Sequence, residues 1–297
     1  MSGYNTETVN IQFLNQSFLD KVDQGMTKEA GVAMSAFVRQ KLREDGFTRK
    51  ILTPKPITAA ELDRQLTEEP TIIVEKEPDS IAANMPFLGR SEIRYFKGSR
   101  YPVTFQKITS ADFRKSKFEL ATYRTDIRTV LQENSVKDIQ ATEDQNFYNN
   151  VVSVATANSN VYTLSGGFTK VNLLNGVKKL LEKKLPVGCI LMTQSMYTDL
   201  LGFPATDIGS PAASELMRGQ ATLDSFFGYK IITTNKNDIL PTNQAIVFAQ
   251  EAYLGQFYTL QDSTVFLKVE QDVLSFNTYE SVGVGLGNVN GAVVLNF

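Results

Sequence analysis

Residues 125–156 run without a proline or a glycine, and apolar side chains recur there at helical spacing. Ile127, Val130 and Leu131 begin a stripe, Ile139 lies in its middle, and Phe147, Val151 and Val154 close it. The pattern predicts one helix, which at about 1.5 Å per residue would span roughly 45 Å, more than a compact domain of ordinary size requires. Gln132, Glu133, Lys137, Gln140, Glu143, Asp144 and Asn149 stand between the apolar positions, so the helix is neither fully buried nor membrane-spanning. One face packs, and the rest meets water or a neighbouring chain. Ser135 marks a place where this beam can bend.

Upstream, residues 1–25 are polar with scattered Ile11, Phe13, Leu14, Phe18 and Leu19 and no period, which reads as an extended arm that docks on something. Residues 26–44 place Val32, Phe37, Val38 and Leu42 beside charges and are followed by Gly46, a short amphipathic helix with its stop. Thr58 with Glu61 forms a capping box leading into ELDRQLTEE, Pro70 ends that helix, and TIIVEKE is a strand. Between residues 86 and 123 the chain alternates about the turn points Gly89 and Gly98, predicting a projecting hairpin. It is locally basic: Arg94, Lys97, Arg100, Lys107, Arg114, Lys115 and Lys117 outnumber the acids between them.

Downstream of the beam a helix and strand rhythm sets in. Thr169 caps VNLLNGVKKLLEKK, VGCILMT is a buried strand, SMYTDLL is a short helix closed by Gly202, and GYKIITT and QAIVFAQ are further strands, the connections of an α/β sheet. Residues 203–226 form a long excursion rich in small and turn-forming residues. STVFLKVEQ, VLSFNTYESVGVGL and GAVVLNF are strands again, the last placing the C-terminus inside a sheet.

An apolar share of 42% over 297 residues with net charge −2 describes a well-cored protein rather than a disordered one. No apolar run reaches membrane-spanning length and no signal pattern opens the chain, which places the protein inside a cell or assembled from there. Histidine is absent, which removes Ser-His-Asp and Cys-His catalysis and His-ligated zinc. The single Cys189, within an apolar run, reads as a small buried hydrophobe. No catalytic, cofactor-binding or metal-binding residue is assigned. The glycines of GVGLGNVNG lack the following helix and distant acid of a dinucleotide loop, and read as close backbone approach between strands. The acid pairs Glu68 with Glu69, Glu75 with Glu77, and Glu143 with Asp144 read as solvated faces.

The order of arm, basic ribbon RYFKGSRYPVTFQKITSADFRKSKFELATYR, long helix, α/β block from KVNLLNGVKKLLEKK through GYKIITTNKNDILPTNQAIVFAQEAYLGQFY, and strand-rich tail resembles the major capsid proteins of tailed bacteriophages, the HK97-like fold. The resemblance implies an α+β architecture in six parts: N-terminal arm 1–25, first part of the P-domain 26–85, β-hairpin E-loop 86–123, spine helix of the P-domain 124–158, α/β A-domain 159–262, and closing strands 263–297 shared between the two domains. It implies a structural subunit without enzymatic activity. Such a subunit forms pentamers and hexamers of an icosahedral head around double-stranded DNA, is assembled in the host cytoplasm, and meets portal, scaffolding and decoration proteins but no membrane. Encapsulin shells share this fold and are the alternative; a His-free enzyme acting through carboxylates is the reading from another class.

For the seven ribbon cations Arg94, Lys97, Arg100, Lys107, Arg114, Lys115 and Lys117 three roles compete: solvated surface, nucleic acid and subunit contact. A dedicated nucleic-acid binder carries net positive charge, whereas this chain is slightly acidic. A long ribbon is marginally stable alone, and opposite charges across an interface fix register, so contact with an acidic patch on the next subunit is the expectation.

Overall fold

The computed structural model describes residues 20–27, 46–63, 69–75, 84, 87, 89, 100–122, 135, 137–203 and 225–297. The arm up to residue 19, most of the 26–44 helix, the first third of the beam apart from Ser135 and the greater part of the 203–226 excursion lie outside them. Residues 20–23 are helical rather than extended, and Val22 is buried in the main core, so the end of the expected arm docks on its own chain.

The first elements are short: α1 (Thr48–Ile51), β1 (Pro54–Pro56), a 3-10 turn (Ala59–Glu61) and β2 (Thr71–Glu75). The capping box forms, with the Glu61 carboxylate accepting from the Thr58 amide at 2.6 Å, but the backbone turns extended at Leu62. Then follow β3 (Arg100–Thr104), β4 (Gln106–Thr109), β5 (Phe113–Ser116) and α2 (Lys117–Thr122). The sequence placed one projecting hairpin over 86–123. In the fold β3 pairs antiparallel with β2, whereas β4 and β5 lie end to end along a single later strand, so 106–116 is woven into a sheet. Period-2 alternation marks a strand but not its partner.

Helix α3 (Lys137–Ala157) is the described part of the beam, 21 residues long. Ile139, Phe147 and Val151 of the predicted stripe are buried, joined by Ala155. Gln140, Glu143 and Asp144 are buried too, which corrects the expectation of a solvated acidic face; the cations that allow it come from outside the helix. Ser135, just before the helix, is buried and accepts a hydrogen bond from Thr278 Oγ1 at 3.1 Å.

The α/β block follows its pattern closely: β6 (Val161–Thr163), α4 (Lys170–Glu182), β7 (Val187–Thr193), α5 (Gln194–Leu201), β8 (Ser225–Phe226), β9 (Tyr229–Thr234), β10 (Gln244–Ala249) and α6 (Glu251–Leu254). Thr169 Oγ1 accepts from the Asn172 amide at 3.3 Å, and Gly202 closes α5. β11 (Gln256–Glu270) and β12 (Val273–Gly285) then form a long antiparallel hairpin, and β13 (Ala292–Asn296) ends the chain. A five-stranded sheet runs β1-β11-β12-β4 with β5 also on β12; a six-stranded sheet runs β6-β13-β10-β7-β9-β8. The C-terminal strand is therefore interior to a sheet, as its apolar run predicts.

The six-stranded sheet is covered on both faces, which is why its strands read as continuous apolar runs rather than alternating ones. Ile246 and Phe248 of β10 join Phe147 and Val151 of α3, while Ala245 and Val247 join Leu173, Val177 and Leu180 of α4 on the other side. Phe257 and Phe276 carry the first core under the five-stranded sheet.

The glycines of GVGLGNVNG hold that sheet against β3. A Cβ on Gly283 would stand 3.1 Å from the Phe105 ring, and one on Gly287 2.6 Å from the Tyr101 hydroxyl. A Cβ on Gly255 would overlap the backbone carbonyl of Gly285, which has no rotamer with which to yield. Gly255→Ala is therefore expected to cost about 1–3 kcal/mol, and Gly283→Ala clearly less because its neighbours are side chains. Urea unfolding of the two variants checks the order; equal costs would mean that backbone contact is not the cause.

Candidate subunit-contact surface and a buried charge cluster

Five of the seven ribbon cations fall on described elements, and Arg94 and Lys97 lie outside them. Arg100 opens β3 opposite Glu75 on β2 and pairs with it at 2.6 Å, both side chains 67% exposed. Lys107 on β4 sits 4.3 Å from the Tyr279 ring centre. Arg114 on β5 lies 3.1 Å from Asp112, Lys115 3.6 Å from Glu119, and Lys117 2.5 Å from Asp23.

Register shows which of these share a face. Lys107 stands opposite Ser281 and Arg114 opposite Ser275, positions of equal parity on β12, so both project from the same side of the five-stranded sheet. Phe266, Lys268 and Glu270 of β11 join them by the same rule, with Phe266 exposed. Asp112, Arg114, Phe266, Lys268, Glu270, Ser275 and Asn277 line a shallow depression there of about 210 Å³. Ser275 Oγ and Asn277 Oδ1 are buried without a hydrogen-bond partner. The sheet gathers Lys107 and Arg114 and leaves Arg100 on the separate β2-β3 ribbon. Exposed pairs of this kind contribute about 0–1 kcal/mol each, so their charges remain open to exchange with another surface.

The charged groups with most at stake were not visible as a motif. At the start of α1 the Phe47 and Thr48 amides donate to Asp144 at 3.4 and 3.0 Å, and Thr48 Oγ1 donates at 2.6 Å. Lys236, from the loop after β9, closes on the same carboxylate at 2.5 Å. One residue along, Arg49 is buried: its Nε donates to both Glu143 oxygens at 3.1 Å, and its Nη2 donates to Glu143 Oε2 at 3.0 Å and Glu280 Oε2 at 2.9 Å. Asp262 stands 3.7 Å from Nη1, and the guanidinium also lies 5.7 Å from the Phe257 ring centre. Ser263 Oγ donates to Glu280 Oε2 at 3.2 Å, while Glu280 Oε1 is buried with no donor.

Burial opposes the charge on Arg49, but Glu143 above all, by its charge and its hydrogen bonds, outweighs it and holds the guanidinium firmly ionised. Burial also raises Glu143, although Arg49 pulls it back. Burial and the neighbouring Glu143 push Glu280 up to about 9. The cluster joins α1, α3, β11 and β12, and its chemistry is that of a fastener. A signal for it existed: Glu143 stands four residues from both Ile139 and Phe147, inside the apolar stripe rather than beside it. Cys189 is buried, and burial pushes its thiol up to about 12, an inert group at neutral pH.

No family model and no curated protein matches the sequence. Solved structures do match. A chain of Microbacterium phage Oxtober96 superposes with TM-score 0.61 at 11% identity, covering 85% of this chain and 91% of that one. The capsid structure of cyanophage P-SCSP1u gives 0.58 at 12%, covering 83% and 86%. A virus-like particle from Pyrococcus furiosus gives 0.58 at 15%, covering 90% and 100%. At these identities the likeness is one of fold, and it extends over most of both chains. In fold, then, the chain is similar to phage chains, a cyanophage capsid structure and an archaeal virus-like particle.

Proposed function

We propose that the chain is the major shell subunit of a tailed-phage head, assembling as pentamers and hexamers into an icosahedral capsid around double-stranded DNA. The observation that carries this reading is the likeness in fold to the cyanophage capsid over 83% of the chain. In this reading residues 86–123 supply the E-loop, α3 the spine of the P-domain, and the α/β block the A-domain. DNA meets the inner face without sequence preference, and portal, scaffolding and decoration proteins meet the assembled shell. The exposed Phe118, Phe227 and Phe266 and the outer face of the two-stranded ribbon, with Ile73, are surfaces that a lone subunit leaves open to water.

Purified protein imaged by electron microscopy tests the assignment. Particles are expected, and a strictly monomeric chain under all assembly conditions would overturn it. Particles filled with protein cargo rather than a genome would favour the encapsulin-like shell, whose fold the Pyrococcus particle shares. Joint charge reversal of Arg94, Lys97 and Arg100 is expected to leave the circular dichroism of the subunit unchanged and to abolish or misdirect assembly. Normal particles from that variant would remove the ribbon cations from the contact while leaving the shell assignment standing.

A further inference from the structure

We propose that Glu280 is held as a neutral carboxylic acid whose proton is donated to Glu143, making a clamp between β12 and α3 that loosens as the pH is raised. Geometry assigns the proton. Glu143 accepts three guanidinium contacts from Arg49 through both of its oxygens, the arrangement of an ionised carboxylate in a forked pair. Glu280 uses Oε2 to accept from Arg49 and Ser263, and leaves Oε1 buried without a donor. An anionic oxygen in that position would be uncompensated, whereas a protonated carboxyl can donate to Glu143, with which Glu280 shares the Arg49 Nη2.

The charges packed around the pair agree. Arg49 from α1 faces three carboxylates: Glu143 on α3, Asp262 on β11 and Glu280 on β12. Lys236, from the β9-β10 loop, is engaged by Asp144 on α3. One guanidinium faces two fully buried carboxylates, Glu143 and Glu280, so the less solvated of them takes a proton, and Glu280 is at 0% exposure. The upward shift of Glu280 to about 9 is consistent with this. The clamp needs no partner chain and holds for the subunit whether or not it assembles.

The sign of the pH effect follows. A carboxyl whose folded value lies above its unfolded one stabilises the fold fully below the unfolded value, and that contribution is lost as pH rises toward the folded value. For Glu280 the window runs from 4.5 to about 9. The test is urea unfolding of the full chain at intervals from pH 5 to 9.5, comparing the natural sequence with Glu280→Gln and Glu143→Gln.

Glutamine mimics the protonated acid. Glu280→Gln is expected to match the natural protein at pH 5 and to become progressively more stable than it as pH rises, by up to tenfold in the folding equilibrium per pH unit. Glu143→Gln, which removes the anion that Arg49 holds, is expected to be less stable than Glu280→Gln at pH 6. Parallel pH profiles for the natural protein and Glu280→Gln, or a loss of stability in Glu280→Gln at pH 5, would overturn the assignment. Should Glu280→Gln fail to fold, carbon-13 NMR of glutamate-labelled natural protein decides. A carboxyl signal in the protonated range at pH 7 that moves only above pH 8 supports the clamp, and its absence ends it.

Discussion

Arg49→Met is expected to lower the stability of the subunit by about 3–5 kcal/mol, because it leaves buried carboxylates without their cation while preserving much of the side chain's bulk. Glu143 loses its forked partner, Asp262 a guanidinium nitrogen 3.7 Å away, and Glu280 one of the two donors to Oε2. The loss concentrates where three segments far apart in sequence meet: residue 49, residue 143, and the β11-β12 hairpin with residues 262 and 280. Chemical denaturation followed by circular dichroism measures it. The companion experiment replaces Arg49, Glu143 and Glu280 together by apolar residues of similar volume. A buried ionic group exchanged as a whole for well-packed hydrophobes is often neutral, so most of the lost stability is expected to return. If Arg49→Met alone costs less than about 1 kcal/mol, the site behaves as an exposed pair and the fastener account fails.

That cluster also marks the limit of what the sequence made legible. Elements whose identity depends on local pattern were readable: the Thr169 cap and the helix behind it, the buried strands VGCILMT and QAIVFAQ, and the glycines 283, 285 and 287 as points of close approach. Pairing was not. Nothing local in residues 106–116 says that they lie along β12, some 160 residues later, because register across a sheet is set by tertiary contacts rather than by period. The acids misled for a related reason. An adjacent Glu143 and Asp144 are solvated in most helices, and what buries them here is Arg49 and Lys236, each about 90 positions away. For the cations expected at a subunit contact, the fold puts Lys107 and Arg114 on one face, separates Arg100 from them and gives each described one an acid or a ring of its own chain, partners that the sequence did not name.

The other change of large expected effect lies on α3, four residues beyond Glu143. Phe147 is buried between Phe47, with ring centres 6.5 Å apart at 62°, and Phe248 of β10 at 5.8 Å. It is the ring through which α3 touches both the segment opening α1 and the six-stranded sheet. Phe147→Ala is expected to cost about 3–5 kcal/mol, the transfer free energy of the ring plus the cavity left behind. Collapse of that cavity is resisted because its walls belong to a sheet strand bonded on both sides, β10 between β7 and β13. Phe147→Leu, which keeps most of the volume, is expected to cost clearly less. A double-mutant cycle with Phe248→Leu separates filling from ring contact: a coupling of about 0.5–1.5 kcal/mol is expected if the aromatic geometry contributes beyond area. No coupling would make Phe147 a space filler and nothing more. The consequence for assembly is direct under the shell reading. If α3 is the spine, a subunit that loosens at Phe147 should assemble into particles with a lower melting temperature even though every surface contact is intact, and unchanged particles from a measurably destabilised subunit would show that the intersubunit contacts, not this helix, set the stability of the shell.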